Sequence, residues 1–154
     1  SEIKSEDKKV LTLYVEDTEQ KLSSYDKIYR KIELFSRILN ENRLSFKKIK
    51  TDSEKGFYFE TRKGKMLELT QLSSGEQHQV VLLYELIFKT EKNILVLIDE
   101  PEISLHVAWQ KQFLKDLQEI IEIQDMPVVI ATHSPQIIDG NWDLTVDLAE
   151  GGIA

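Results

Sequence analysis

Three carboxylates, Asp99, Glu100 and Glu102, follow the most apolar run of the sequence, Ile94 to Ile98. Such a run reads as a strand buried on both faces, where an unpaired carboxylate is costly. Acids at its mouth therefore point to a cation or a phosphate. In an open parallel sheet, ligands bind outside the carboxyl ends of the strands. A second apolar run, "PVVIAT" (127–132), leads into His133, Ser134 and Pro135. Two such strands side by side bring Asp99, Glu100 and His133 to one edge. There Asp99 could hold Mg²⁺ through its water shell, since that ion dehydrates reluctantly. Glu100, on the opposite face of the strand, could polarise a water for attack on a γ-phosphate. His133 could donate a hydrogen bond to the terminal phosphate. Two plainer readings stay open: a strand-end acid, Glu102 or Ser104, that caps the next helix, and a structural His133. A metal nuclease site of Asp99, Glu100 and Glu102 is a further reading, but two-metal chemistry wants more acids at the same edge, and only Asp139 is near.

A third candidate segment is "LSSGEQ" (72–77). Ser73, Ser74 and Gly75 open a helix whose free N–H groups and positive end suit an anion, and glycine lets backbone approach phosphate. Ser-Ser-Gly-Glu is equally good N-capping chemistry.

These residues need elements to position them. Leu11, Val15, Leu22, Tyr25, Tyr29, Ile32 and Leu39 recur at alternating steps of four and three, with Thr18 and Ser36 in the gaps. That pattern predicts a heptad-like helix over roughly Asp7 to Asn42. Short extended stretches at 44–50, 57–61 and 66–70, split by turn-forming "TDSEKG" and "RKGK", predict an antiparallel β-meander. From Gly75 the pattern becomes helix, strand (94–99), long amphipathic helix (104–124), strand (127–132) and a further strand at "LTVDLA" (144–149). Alternating apolar strands and helices mean a parallel sheet covered by helices. Trp109 and Trp142 read as packing residues.

Composition sets outer limits. The 154 residues, 41% hydrophobic and 31% charged, describe one ordinary globular chain. With no cysteine, disulfides and thiolate metal sites are excluded. No apolar run reaches the length of a membrane span, so no membrane contact is expected and cytoplasm is the default compartment. A net charge of −7 argues against a surface coated for nucleic acid; Lys47, Lys48 and Lys50 read as a solvated strand face.

Together the three segments resemble the ABC-type ATPase family. "LSSGEQ" is similar to its signature motif, "ILVLIDE" to its Walker B strand with catalytic glutamate, "PEISLH" to its D-loop and "ATHSP" to its switch histidine. The closest likeness is to predicted AAA/ABC ATPases related to the SMC, RecF and overcoming-lysogenisation-defect groups. It covers roughly residues 70–148, and more loosely what precedes them.

The resemblance implies a P-loop NTPase-like α/β fold: an ABC ATPase head with a parallel sheet and flanking helices, plus a small meander and a long N-terminal helix. It divides the chain into the returning half of a helical arm (1–43), the meander (44–70) and the C-terminal part of the ATPase domain (71–154). It implies that Asp99 coordinates Mg²⁺, Glu100 activates water and His133 senses the γ-phosphate. Ser73, Ser74, Gly75 and Glu76 would close over ATP bound to the opposite subunit of a head-to-tail homodimer. Ser104, Leu105 and His106 stand in the D-loop, departing from its common Ser-Ala-Leu-Asp form.

No segment matches G-x-x-x-x-G-K-[ST], and "RKGKML" has one glycine where two are needed. With Ser1 as first residue and Met66 as first methionine, the expectation is an excised piece lacking the lobe that bears the phosphate loop. The intact protein would hydrolyse ATP to ADP and phosphate, in phage defence or DNA maintenance, with an effector protein or DNA as possible partner. The piece alone would be inactive. The alternative is an ATP-gated dimerisation module that controls a partner effector.

Overall fold

The computed structural model describes residues 5–147. A long helix α1 (Ser5–Ile38) runs on into a π-helical turn, Leu39–Arg43. The antiparallel strands β1 (Lys47–Asp52), β2 (Gly56–Thr61) and β3 (Met66–Leu67) follow. Then come α2 (Ser74–Tyr84), β4 (Val96–Asp99), the one-turn α3 (Pro101–Ser104), α4 (Val107–Gln124), β5 (Val128–Ala131) and the short α5 (Pro135–Ile138). β4 and β5 pair in parallel, with Val96 opposite Val128 and Asp99 opposite Ala131.

One core unites these parts. Leu34, Phe35 and Ile38 at the end of α1 and Leu39 just after it pack with Ile49 and Phe59 of the meander, Leu83 of α2, Ile87 just after α2, and Leu117 and Ile120 of α4. Phe35 is ringed edge-on by Phe57, Tyr84 and Phe88. The meander is tied to α1 by Asn40, whose side chain exchanges two hydrogen bonds with the Ile49 backbone, at 3.0 and 2.8 Å. An amide thus stands in for a neighbouring strand at the edge of β1.

A buried ion pair locks α1 to α4. Arg43 and Asp116 are almost wholly enclosed and directly paired. Arg43 also donates to the Trp109 carbonyl at 3.0 Å, and Gln112 donates to Asp116 at 3.3 Å. A cavity of about 10 Å³, lined in part by Arg43, Gln79, Phe113 and Asp116, lies beside them. That is about the least space a single water needs. The free Nε of Arg43 and the Nε2 of Gln79 have no protein partner among the described residues.

Several expectations change. The strands are not buried on both faces: each alternates half-buried and exposed, and Leu97 (71% exposed) and Val129 (56%) lie on an open face. Two strands make too narrow a sheet, within the described residues, for helices to cover both sides. The expected strand at 66–70 ends at Leu67, because Glu68 and Gln71 exchange capping hydrogen bonds around a 3₁₀ turn, Leu69–Gln71. The helix expected over 104–124 starts only at Val107, since Ser104 ends the separate turn α3 and His106 Nδ1 accepts from the Ala108 N–H at 3.3 Å as the cap. At "LTVDLA", Leu144 closes a 3₁₀ turn, residues 145–147 are irregular, and 148–149 lie outside the described residues. Trp142 is 60% exposed rather than packed.

Removing one member of the buried pair leaves a charge without its partner, a loss of about 3–5 kcal/mol. Arg43→Ala or Asp116→Ala should each lower stability by that order in urea unfolding. The joint change to Arg43→Met and Asp116→Leu should cost less than either single change.

Candidate functional site

The register of β4 with β5 brings the two strand ends level. The Glu100 N–H donates to the Ala131 carbonyl at 2.8 Å, one step beyond the last strand pair. Pro101 then starts α3, its fixed φ suited to a first helical position. The turn between strand and helix is made at Glu100, which adopts a left-handed backbone (φ 46°). For a non-glycine residue that is a strained conformation, of a kind that clusters at functional sites.

Three of the residues singled out from the sequence lie together here. His133 Nε2 is 3.1 Å from Glu100 Oε1, with the imidazole 91% exposed. Asp99 precedes them on the exposed side of β4, the side that carries Leu97. Glu102 reaches towards the end of β5. Its Oε2 accepts from Thr132 Oγ1 at 2.7 Å, and its Oε1 from the His133 N–H at 2.9 Å. One carboxylate thus ties the turn after β4 to the end of β5. Behind it, Thr132 Oγ1 accepts from the Ser134 N–H, and buried Ser134 donates to Gln110 of α4. Sequence reasoning missed this tie and the part of Thr132 and Gln110 in it. The only local cue was a glutamate in the first turn of a proline-started helix.

The carboxylates titrate in opposite directions. Burial, then the Glu102 carboxylate, with a further push from Asp99, raises Glu100 above the usual glutamate range, against the pull of His133. Burial also pushes Glu102 up, but hydrogen bonds from Thr132 and the His133 N–H outweigh it and hold Glu102 low. A raised glutamate facing solvent has the proton affinity a general base needs.

The Ser73–Glu76 segment sits elsewhere in the chain's packing, against the end of α1 and α4. Ser73 caps α2 and forms a reciprocal capping box with Glu76. Glu76 is buried, and its oxygens accept from the Ser73 N–H (2.9 Å), Ser73 Oγ, the Ser45 N–H (3.1 Å) and Lys47 Nζ (2.6 Å). Burial raises it, yet Lys47, Ser73 and Ser45 together bring it below the usual range. Capping therefore describes Ser73 and Glu76 well. Ser74 is exposed, and a Cβ at Gly75 would meet only the Trp109 ring, at 3.8 Å. Nothing in the described fold requires glycine at 75. Of residues 104–106, Leu105 belongs to the core, Ser104 is exposed and His106 caps α4.

A metal would find one exposed carboxylate, Asp99, at the strand end. That matches the sparse protein ligation of Mg²⁺, which keeps most of its waters and uses one or two carboxylates with substrate phosphates. No three His, Asp or Glu side chains converge as a cage among the described residues, and Glu102 is committed to Thr132 and His133. No helix among the described residues is long and apolar enough to cross a membrane.

A family model described as the AAA ATPase domain matches residues 2–138. Over 124 residues the chain is 32% identical to protein ea59 of Escherichia phage lambda, covering 77% of this chain and 23% of that protein. Over 84 residues it is 37% identical to UvrABC system protein A of Clostridium acetobutylicum and 36% identical to that of Clostridium perfringens. Each of those matches covers 54% of this chain and 9% of the relative. The chain thus spans under a quarter of the length of these relatives.

Glu102→Ala should lower stability by about 1–3 kcal/mol, the cost of stranding its donors, and shift the His133 amide resonance. Glu76 and Glu102 both have depressed folded values, so their contribution is complete above the unfolded value, about pH 4.3. It is lost only as pH falls through the lower folded values. Following the Ser45, Ser73 and His133 amide shifts down to pH 2 checks that sign.

Proposed function

This chain belongs to the AAA ATPase domain family, and on that premise we propose that it carries the catalytic-base portion of a site that hydrolyses ATP to ADP and phosphate. The observation that carries the reading is the Glu100–His133 contact at 3.1 Å, fixed by Glu102 across two parallel strand ends. Family membership implies nucleotide, and usually Mg²⁺. When bound, that ion supplies charge that offsets the phosphate oxygens. In this reading Asp99 holds it through water.

Glu100 takes a proton from a water whose oxygen attacks the γ-phosphorus. The bond to the β–γ bridging oxygen breaks, and ADP leaves with that electron pair. Without nucleotide, His133 Nε2 lies against Glu100 Oε1; with nucleotide bound, its one N–H turns to a γ-phosphate oxygen and leaves the carboxylate to the water. Ser74 and Gly75 remain available to a nucleotide held by another subunit in a head-to-tail dimer, whereas Ser73 and Glu76 hold the loop in shape.

The phosphate-gripping lobe would cover the open face of β4 and β5. Uncovered Leu97 and Val129 support that placement, because a contiguous apolar face on a parallel sheet is ordinarily packed. A P-loop-type sheet with more strands, and a role in phage defence or DNA maintenance with an effector protein or DNA as partner, extend the same proposal. The second reading, an ATP-gated dimerisation module controlling an effector, is favoured by the exposed length of α1, which gives nucleotide closure something to move.

In the protein that contains this chain and its nucleotide-binding lobe, Glu100→Gln should cut turnover by about 10²–10⁴-fold while nucleotide binding survives. Undiminished turnover would remove Glu100 from the base role. Gly75→Ala tests the loop. Because the fold leaves room for the methyl group, stability should hold or rise by up to about 1 kcal/mol, while turnover falls; unchanged turnover would leave capping as the whole role of the segment.

A further inference from the structure

We propose that one end of the β-meander binds single-stranded nucleic acid, with Phe46 as the platform for a base and Lys48, Arg62, Lys63 and Lys65 as contacts to phosphate. Residues 45–66 carry seven cations against three carboxylates, in a chain whose net charge is −7. Ile49 and Phe59 are buried opposite each other, so side-chain alternation turns Lys48, Lys50, Tyr58, Glu60 and Met66 outward. One step before β1, Phe46 stands 69% exposed on a left-handed backbone (φ 60°). A bulky residue seldom takes that conformation, and burial of the ring does not repay it here. The Arg62 N–H donates to the Phe46 carbonyl at 3.2 Å, and the Arg62 guanidinium lies 4.7 Å from the ring centroid. An aromatic ring backed by arginine and open to solvent is a stacking surface.

The cations of the meander divide by whether the fold has used them. Lys47 is bonded to Glu76, and Lys50 to Glu60. Lys48, Arg62, Lys63 and Lys65 are exposed and make no ion pair among the described residues. Asp52 and Glu54, the other acids of the hairpin, lie in the turn at its far end, about 20 Å along the strands. There Asp52 accepts from the Glu54 and Lys55 N–H groups. No acid of the meander is therefore left to offset the cations beside Phe46. Charge alone would suit an acidic protein segment or a duplex as well. The exposed ring selects between them: its flat face matches an unpaired base, whereas a duplex keeps its bases stacked on each other and a carboxylate offers no ring. This inference gives a place and a strand form to the DNA partner of the proposal above. Binding is measured without nucleotide, so its failure would leave ATP hydrolysis at Glu100 untouched.

The test uses the whole chain, without ATP or Mg²⁺, and three labelled probes of matched length: an oligothymidylate, a DNA duplex and a polyglutamate peptide. Fluorescence anisotropy should show the oligothymidylate binding at least about tenfold more tightly than either of the others. Its log affinity should fall with log salt at a slope of about −3, roughly 0.7 for each of the four cations. Phe46→Gly removes the ring and suits the left-handed backbone, so the fold should be kept while binding weakens about fivefold or more. The joint change Lys48→Gln, Arg62→Gln, Lys63→Gln, Lys65→Gln should remove most of the salt dependence. Four results would each overturn the proposal: no binding of oligothymidylate, equal binding of the duplex, equal binding of polyglutamate, or full affinity in Phe46→Gly. Equal binding of polyglutamate would favour an acidic protein segment instead.

Discussion

The site hangs on the register of two short parallel strands. With Asp99 opposite Ala131, Glu100 and the Thr132–His133 pair leave the sheet at the same level, and Glu102 can reach across. A slip of one residue would move one strand end by about 3.3 Å and turn every side chain to the other face. His133 would then leave Glu100, and the two donors to Glu102 would point elsewhere. Four residues per strand is a weak determinant of register by itself. The Glu102 bridge and the Ser134–Gln110 bond beyond it are the contacts that make one register preferable.

The carboxylates sort by the donors offered to them. Asp116 has Arg43 and Gln112; Glu76 has Ser45, Lys47 and Ser73; Glu102 has Thr132 and the His133 N–H. Each is spent on joining two elements that lie far apart in the chain. Among the site carboxylates, Glu100 is the one whose charged contact is an exposed, titratable imidazole, and its backbone is strained into place. Chemistry is left to the residues whose charge the fold has not already used.

Much of this was legible because it is local. Heptad spacing marks α1, apolar runs mark β4 and β5, and strand-end chemistry puts Asp99, Glu100 and His133 at one edge. What failed was long-range or depended on what covers a surface. An apolar run cannot tell whether a strand has neighbours on both sides, so the open face at Leu97 and Val129 was unforeseen. Nor does any local pattern link Arg43 to Asp116, or Glu102 to Thr132, since those pairs meet only after the helices pack. Glu68 and Gln71 shorten β3 through a capping exchange that overrides the local β propensity.

The open face bears on the division of labour within the proposed site. Asp99 alternates with Ile98, so it shares the uncovered side of β4 with Leu97, while Glu102 is bonded to Thr132 and the His133 N–H at the end of β5. The Glu100–His133 contact is made within this chain alone. The environment of Asp99 is not: its dielectric and its distance from phosphate depend on whatever lies against Leu97 and Val129. A lobe docking there would exclude water from around Asp99 and strengthen its hold on a cation, with Glu100 already in position. In that arrangement assembly of the sheet and completion of the metal site are one event, and ATP turnover would be confined to the covered state.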